Sequence, residues 1–333
     1  MNIHLQNGTI KLENPPYFIA GGAVGGQKES EGPLCDFLDE FSSDGRFDRD
    51  TWEKAESEMQ KHALYFALNR ANLDKVDFIF SGDLLNQCTA SAFAHRESNT
   101  SYVGLYGACS TFVEGLCLSS VFLSSQSAEH TAISASSHFC SAERQYRYPL
   151  NYGGQRPPTA QWTVTGAGAV IMGRERGIAR ATHVNFGKIV DMGIKDANNM
   201  GAAMAPAAFE TINAIFKDTN TKPNDYDLIV TGDLGFLGKK LLCDLFKKEE
   251  NIEIPNIIDC GEEIFSKSAQ DVHSGASGAG CSACVFSRFI LEQIKDGRWK
   301  KVLFAGTGAL LSPLSTQQGE SIPCICHGIV IEV

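Results

Sequence analysis

Hydrophobic positions along the chain fall into short unbroken runs separated by amphipathic stretches, the alternation expected of buried strands and covering helices in an α/β protein. Three such runs recur in the same order. VDFIFSGDLLNQ (76–87) is echoed by YDLIVTGDLGFL (226–237), each an acidic turn, an apolar strand and Gly-Asp-Leu. HTAISASS (130–137) is matched by KVLFAGTG (301–308), and GAGAVIMG (166–173) by CHGIVIEV (326–333). Echoes that keep their order indicate an internal duplication. Ahead of the first echo, residues 51–73 predict a helix capped by Asp50 or Thr51, with Ala55, Met59, Ala63, Phe66 and Ala67 on one face. Residues 204–219 hold the equivalent place in the second half. Residues 107–123 and 275–294 start with Gly, Ala and Ser before turning amphipathic, as helices do when they approach another backbone closely. Each half thus predicts helix, strand, small-residue helix, strand, strand, and the halves span 1–180 and 181–333. Residues 145–158, rich in Pro, Gly and Tyr without periodicity, read as a long loop over a pocket or a dimer seam.

The plain account of this pattern is a doubly wound α/β protein with duplicated halves. A length of 333 residues, 43% hydrophobic and 20% charged, suits one large two-lobed unit. A formal charge of -10 without any Lys/Arg run argues against nucleic acid as partner. The apolar runs are too short to cross a bilayer, and the first residues lack a basic segment followed by an apolar core, so membrane association is expected to be peripheral. Eleven cysteines scattered through apolar segments point to reduced thiols rather than a disulfide scaffold. Cys281-Ser-Ala-Cys284 and Cys324-Ile-Cys326 fall short of the four paired ligands that structural zinc needs, so no metal site is expected. Asp83 and Asp233 occupy equivalent repeat positions, which suggests a shared structural turn.

GLYGACSTFVEGL (104–116) places Cys109 after an apolar run and at the start of a helix, where the helix end stabilises a thiolate or another anion. A buried apolar cysteine is the other reading of the same residues. GACSTF within duplicated halves, followed by TVTGAGAVI (163–171), resembles the thiolase and ketoacyl synthase superfamily, whose nucleophile would correspond to Cys109. That resemblance implies two pseudo-symmetric βαβαββ-type halves in a five-layered α-β-α-β-α arrangement. More narrowly, EGPL (31–34), GDLLNQ (82–87), AERQYRYPLNYGGQRP (142–157), MGAAMAPAA (200–208), TGALLSP (307–313) and the final CHGIVIE resemble the stage V sporulation protein AD family. The family resemblance implies a dipicolinic acid binding protein, taking the acid or its calcium chelate, that acts in dipicolinate uptake into the developing spore. It also implies a homodimer and peripheral association with the inner spore membrane through other stage V sporulation A-operon membrane proteins.

The same resemblance tests the chemistry residue by residue. Where ketoacyl synthases of the initiating type carry their histidine, after the strand that DLIVTGDL (227–234) resembles, this chain has Gly232. Their asparagine falls near GASG (275–278), at Ala276. His273 is close to that turn but differs in spacing from the thiolase His-Pro-x-Gly segment, and His327 in the C-terminal turn is the better candidate for lining the pocket. A thiol without a proton-transfer partner binds better than it catalyses. The leading expectation is therefore a non-catalytic scaffold whose ligand site draws on Cys109, His327, His138, Arg144, Arg147 and Met204, the cations serving an aromatic dicarboxylate. Its rivals are an acyl-transferring or condensing enzyme with Cys109 as nucleophile and His273 or His327 as base, and a purely structural component of a membrane transport assembly.

Overall fold

The computed structural model describes residues 2–146 and 156–333. Ten strands make its frame: β1 (Tyr17–Gly26), β2 (Phe78–Gly82), β3 (Ser101–Leu105), β4 (His130–Ser137), β5 (Gly166–Gly173), β6 (Ala179–Asn185), β7 (Leu228–Thr231), β8 (Ile257–Asp259), β9 (Lys301–Ala309) and β10 (Cys324–Glu332). They run side by side in the order 3-2-4-5-1 and then 6-10-9-7-8, so the second set, read from its outer edge inward, repeats the first with every number raised by five. Directions repeat as well. β2 is parallel to β3 and β4 while β5 runs against β4 and β1, and β7 is parallel to β8 and β9 while β10 runs against β9 and β6. The two sets meet only where Phe18 and Tyr17 of β1 pair with Ala179 and Arg180 of β6.

The helices are α1 (Trp52–Ala71), α2 (Thr89–His95), α3 (Thr111–Ser124), α4 (Phe139–Tyr146), α5 (Met200–Thr219), α6 (Gly235–Leu245) and α7 (Ala279–Cys284), the last continuing without a break to Lys295. Thr51 caps α1 by accepting the Lys54 N–H at 3.3 Å. Asn72 and Asn220, both in the left-handed region, end α1 and α5, a further mark of the duplication. α1 covers β1 and β5 from outside, and α5 covers β10 and β9. Between the sheets lie α3, which touches β4 and β2 on one side and β10 and β9 on the other, and α7 with its continuation. The order of layers is helix, sheet, helix, sheet, helix, the five-layered thiolase-like arrangement that the sequence implies.

Two kinds of contact hold the middle layer. Phe286, beyond α7, stacks on Phe304 of β9 with centroids 4.8 Å apart, and it also meets Phe18 of β1 and Phe112 of α3, so one ring joins both sheets and both central helices. Backbones also meet without side chains between them. A Cβ on Gly168 of β5 would come within 2.2 Å of the Ala283 carbonyl in α7, and one on Gly308 of β9 within 2.4 Å of the Gly107 carbonyl that leads into Cys109.

Two expected boundaries move. The loop predicted over 145–158 starts later, because Gln145 and Tyr146 close α4, whose inner face buries Ser141, Ala142 and Glu143; residues 147–155 of that segment lie outside the described residues. The helix predicted from Gly275 starts at Ala279, since Gly275 and Gly278 take φ of +99° and +113°, and Ala276–Ser277 pairs instead with Trp162–Thr163. Phe286→Ala is expected to cost about 3–5 kcal/mol, as for other buried aromatics. Leu314→Ala, at an exposed position, should change stability by no more than about 0.5 kcal/mol; chemical denaturation midpoints compare the two.

Candidate functional site

Ala108, held at φ +53°, turns the chain sharply after β3, and a single 3-10 turn over Ala108–Ser110 then carries Cys109 to the start of α3. The sulfur ends up buried where the two halves meet. From the second half come the two groups that face it. The Ser277 hydroxyl lies 3.9 Å from Sγ, and the carboxylate of Asp233, which follows β7, is buried near enough for its charge to act on the thiol. Asp233 also accepts from the Gly278 N–H at 3.0 Å and from the Thr307 hydroxyl at 3.2 Å. Its backbone carbonyl accepts from Gln161, which bridges to the Ala276 carbonyl.

This surrounding sets the charge on sulfur. Burial and then the negative charge of Asp233 push the Cys109 thiol well above its ordinary range. A helix start on its own favours thiolate, but here a carboxylate stands closer than the helix dipole can offset. Asp233 itself is raised to about 6 by burial, against the donors that hold it down. At neutral pH the pair is therefore a thiol and a carboxylate.

Asp233 and Asp83 are equivalent in sequence and different in use. Asp83 accepts from the N–H groups of Leu85 and Ser91 and from the Ser91 hydroxyl, the structural turn expected of both. In the second half that duty passes to Asp259, which accepts from the Leu234, Gly235 and Gly261 N–H groups and the Thr231 hydroxyl. Asp233 is thereby released to face Cys109, which corrects the expectation of a shared turn. Gly232 lies against the backbone of Gly306 and Thr307, where a Cβ would come within 3.2 Å and 3.3 Å of them. In the following turn the group presented to sulfur is the hydroxyl of Ser277, one residue beyond Ala276.

The cavity beside Cys109 measures about 50 Å³ and is walled by Leu84, Tyr146, Thr163, Met200, Ser277 and their neighbours. That is room for one or two waters, far below the 300 Å³ or more of usual small-molecule pockets. Tyr146 closes one side, its hydroxyl donating to the Leu84 carbonyl. A wider groove of about 890 Å³ runs along charged side chains of α1 and α2, Glu53, Lys54 and Arg96 among them; Cys109 is not among its lining residues.

Of the described residues among those expected around the ligand, Cys109 alone lines this cavity. His327, on β10, is lowered to about 4 by burial and accepts the Gly187 N–H on Nδ1, so it is a neutral packed ring against Phe186. His138 accepts the Cys140 N–H on Nδ1 and donates from Nε2 to the Gly45 carbonyl at 2.9 Å, a staple between two loops with no nitrogen to spare. Arg144 points outward to an ion pair with Glu53. Met204 is buried in the core of the second half under α5, and it is Met200, one helical turn earlier, that reaches the cavity. His273, at φ +51°, has Nδ1 against the Pro157 carbonyl at 2.8 Å and Nε2 against Asp271 at 2.9 Å, so both nitrogens face acceptors and neither serves as a base for Cys109. Arg147 lies outside the described residues. Among those described, no cluster of three His, Cys, Asp or Glu is arranged to hold a metal ion.

Sequence reasoning missed Asp233, Ser277 and Tyr146, whereas Met200 opens the segment 200–206 that it set along the pocket. Asp233 was visible only as a member of the repeat, and repeat symmetry assigned it the wrong role.

Comparison with known proteins follows the same lines. Residues 6–332 match the sequence model of the stage V sporulation protein AD family. Stage V sporulation protein AD of Bacillus subtilis (strain 168) is 40% identical over 326 residues, covering 97% of this chain and 96% of that protein. Among solved structures, 3-oxoacyl-[acyl-carrier-protein] synthase III from Aquifex aeolicus VF5 superposes with a TM-score of 0.58 at 14% identity, over 96% of this chain and all of that one. Acetyl-CoA acetyltransferase from Syntrophomonas wolfei gives 0.54 at 11% identity, over 96% and 100%. At such identities the likeness is one of fold.

Two outcomes test the site. Alkylation of Cys109 by iodoacetamide, followed by peptide mass spectrometry, should be negligible at neutral pH and should speed up in Asp233→Asn, which removes the negative charge facing sulfur. The second outcome concerns pH. Asp233 and Asp259 are raised to about 6 and about 7, above their unfolded range near 4, so the folded state binds more protons than the unfolded one and their contribution is lost as pH rises. The thermal midpoint should fall between about pH 4 and pH 7, and less steeply in Asp233→Asn.

Proposed function

The chain belongs to the stage V sporulation protein AD family, and on that premise we propose that it binds dipicolinic acid, or its calcium chelate, during uptake into the developing spore, on a thiolase-type scaffold that performs no condensation. One observation carries the second clause: the thiol at the nucleophile position is buried, and the negative charge of the buried Asp233 carboxylate near it adds to burial in holding it protonated. A nucleophile of this kind acts as thiolate and needs a base or a cation to make it. Loss of the thiol proton to solvent would set two negative charges together in a buried site, and its transfer to Asp233, raised only to about 6, runs uphill from a thiol held well above its ordinary range. Neither His273 nor His327 lies at the cavity to take it instead. Loss of both activation and charge stabilisation removes about 10²–10⁴-fold and 10²–10³-fold in rate respectively, whereas ligand binding needs neither.

Any calcium would enter on the ligand's own carboxylates. The described residues hold no helix long and apolar enough to cross a membrane, which supports docking on membrane proteins of the same A operon at the inner spore membrane. Homodimer formation is supported by β3, an edge strand that leaves one side of its backbone unpaired, with exposed Phe93, Tyr102 and Tyr106 around it.

The purified chain should take up dipicolinate saturably in calorimetry. It should also leave no acyl group on Cys109 after incubation with acetyl-CoA, as read by intact mass. Acylation that disappears in Cys109→Ser would establish the acyl-transfer reading instead.

A further inference from the structure

Of the acids on α1 only Glu56 is buried. Its carboxyl meets two hydroxyls, Ser136 of β4 at 3.0 Å from Oε1 and Ser141 of α4 at 2.8 Å from Oε2. Neighbouring groups fix the direction of each bond. Gln60, one turn along α1, donates from Nε2 to the Gly82 carbonyl at 2.8 Å and to the Ser136 hydroxyl at 3.0 Å. The single proton of Ser136 therefore goes to Glu56 Oε1. Ser141 also has one proton, and two acceptors stand in its reach, Glu56 Oε2 and the His138 carbonyl at 3.1 Å. Both contacts are made together only when Glu56 is protonated and donates from Oε2 to Ser141, which gives its own proton to His138.

The surroundings favour that neutral form. Among the described residues no cation pairs with Glu56, and the charge that acts on it is the carboxylate of Asp83, after β2. Burial first, and then that charge, raise Glu56 to about 8. The other ionisable groups of the adjoining elements are engaged elsewhere. His138, after β4, has both ring nitrogens in use, Glu143 of α4 accepts from the Thr163 hydroxyl at 3.0 Å, and Arg144 pairs with Glu53.

What Glu56 holds through Ser141 is a wall of the Cys109 cavity, since the next residues of α4, Ala142 and Glu143, line that cavity together with Tyr146. An ionised Glu56 needs water. α1 is 20 residues long and β4 is hydrogen-bonded on both sides, so α4, with eight residues, is the element that yields to admit it. We propose that Glu56 is a positioning residue that holds α4 against α1 and β4 as a neutral acid, and that its ionisation releases this wall and opens the Cys109 cavity. The latch works whatever the cavity binds. Opening returns Glu56 toward its ordinary value of 4.5, so the closed form holds the extra proton. Closure is complete in acid, weakens by up to about tenfold per pH unit between about pH 5 and pH 8, and is level above that.

Access to Cys109 in the whole chain reads the latch. Dithiodipyridine labels thiols even below neutral pH, and peptide mass spectrometry can follow Cys109 together with Cys117, which is buried in α3. Ionisation of the thiol itself cancels in the ratio of wild-type rate to that of Glu56→Gln, whose amide repeats the bonds of the neutral acid. That ratio should be near one at about pH 5 and about tenfold or more higher by about pH 8, with Cys117 unlabelled. Ser141→Ala cuts the same tie from the α4 side and should speed labelling of Cys109 about fivefold at about pH 5, the shift that one lost hydrogen bond gives. Thermal midpoints show that the variants fold. A ratio that stays near one across this range overturns the latch, as does labelling of Cys117 in step with Cys109, the mark of whole-chain unfolding. Labelling of Ser141→Ala at the wild-type rate overturns it independently of Glu56→Gln.

Discussion

The buried carboxylate of Asp233 is the constraint around which this molecule is organised. It receives the Gly278 N–H just before α7 and the Thr307 hydroxyl of β9, and its charge acts on the Cys109 thiol of the other half. A buried carboxylate is tolerated only where donors surround it, and these donors come from elements that must all be in place at once. The interaction that quiets the thiol is thus the same one that fixes the junction between the two halves.

That coupling places a protonated cysteine at the junction of the halves in a fold shared with synthases and acyltransferases. Nothing in the scaffold has been dismantled: the strand order, the central helices and the sharp turn at Ala108 are all present. The change is electrostatic. A carboxylate lies near the sulfur and favours its protonated form, and fold by itself does not settle the chemistry.

Much of the fold was legible because duplication writes the same pattern twice. The runs at 76–87 and 226–237 correspond to β2 and β7, and the periodicity of 51–73 corresponds to α1, since buried strands and amphipathic helices impose their own spacing. The site was far less legible. His138 and His327 resemble ligands in sequence, but whether a ring nitrogen is free depends on the Cys140, Gly45 and Gly187 backbones, which only folding brings to them. Met204 and Met200 share one face of a helix, and a single turn decides which reaches the cavity. Asp233 was hidden for a different reason: its role depends on Asp259 having taken over the turn, a substitution between residues far apart in the chain.

The protonation state of Cys109 is the point on which the account turns, and infrared spectroscopy reads it directly through the S–H stretch. The difference spectrum between the wild-type chain and Cys109→Ser at neutral pH should show a single S–H band that moves when the nearby Asp233 carboxylate is replaced by Asn. A difference spectrum with no S–H band at neutral pH, the thiol having already ionised, would contradict it.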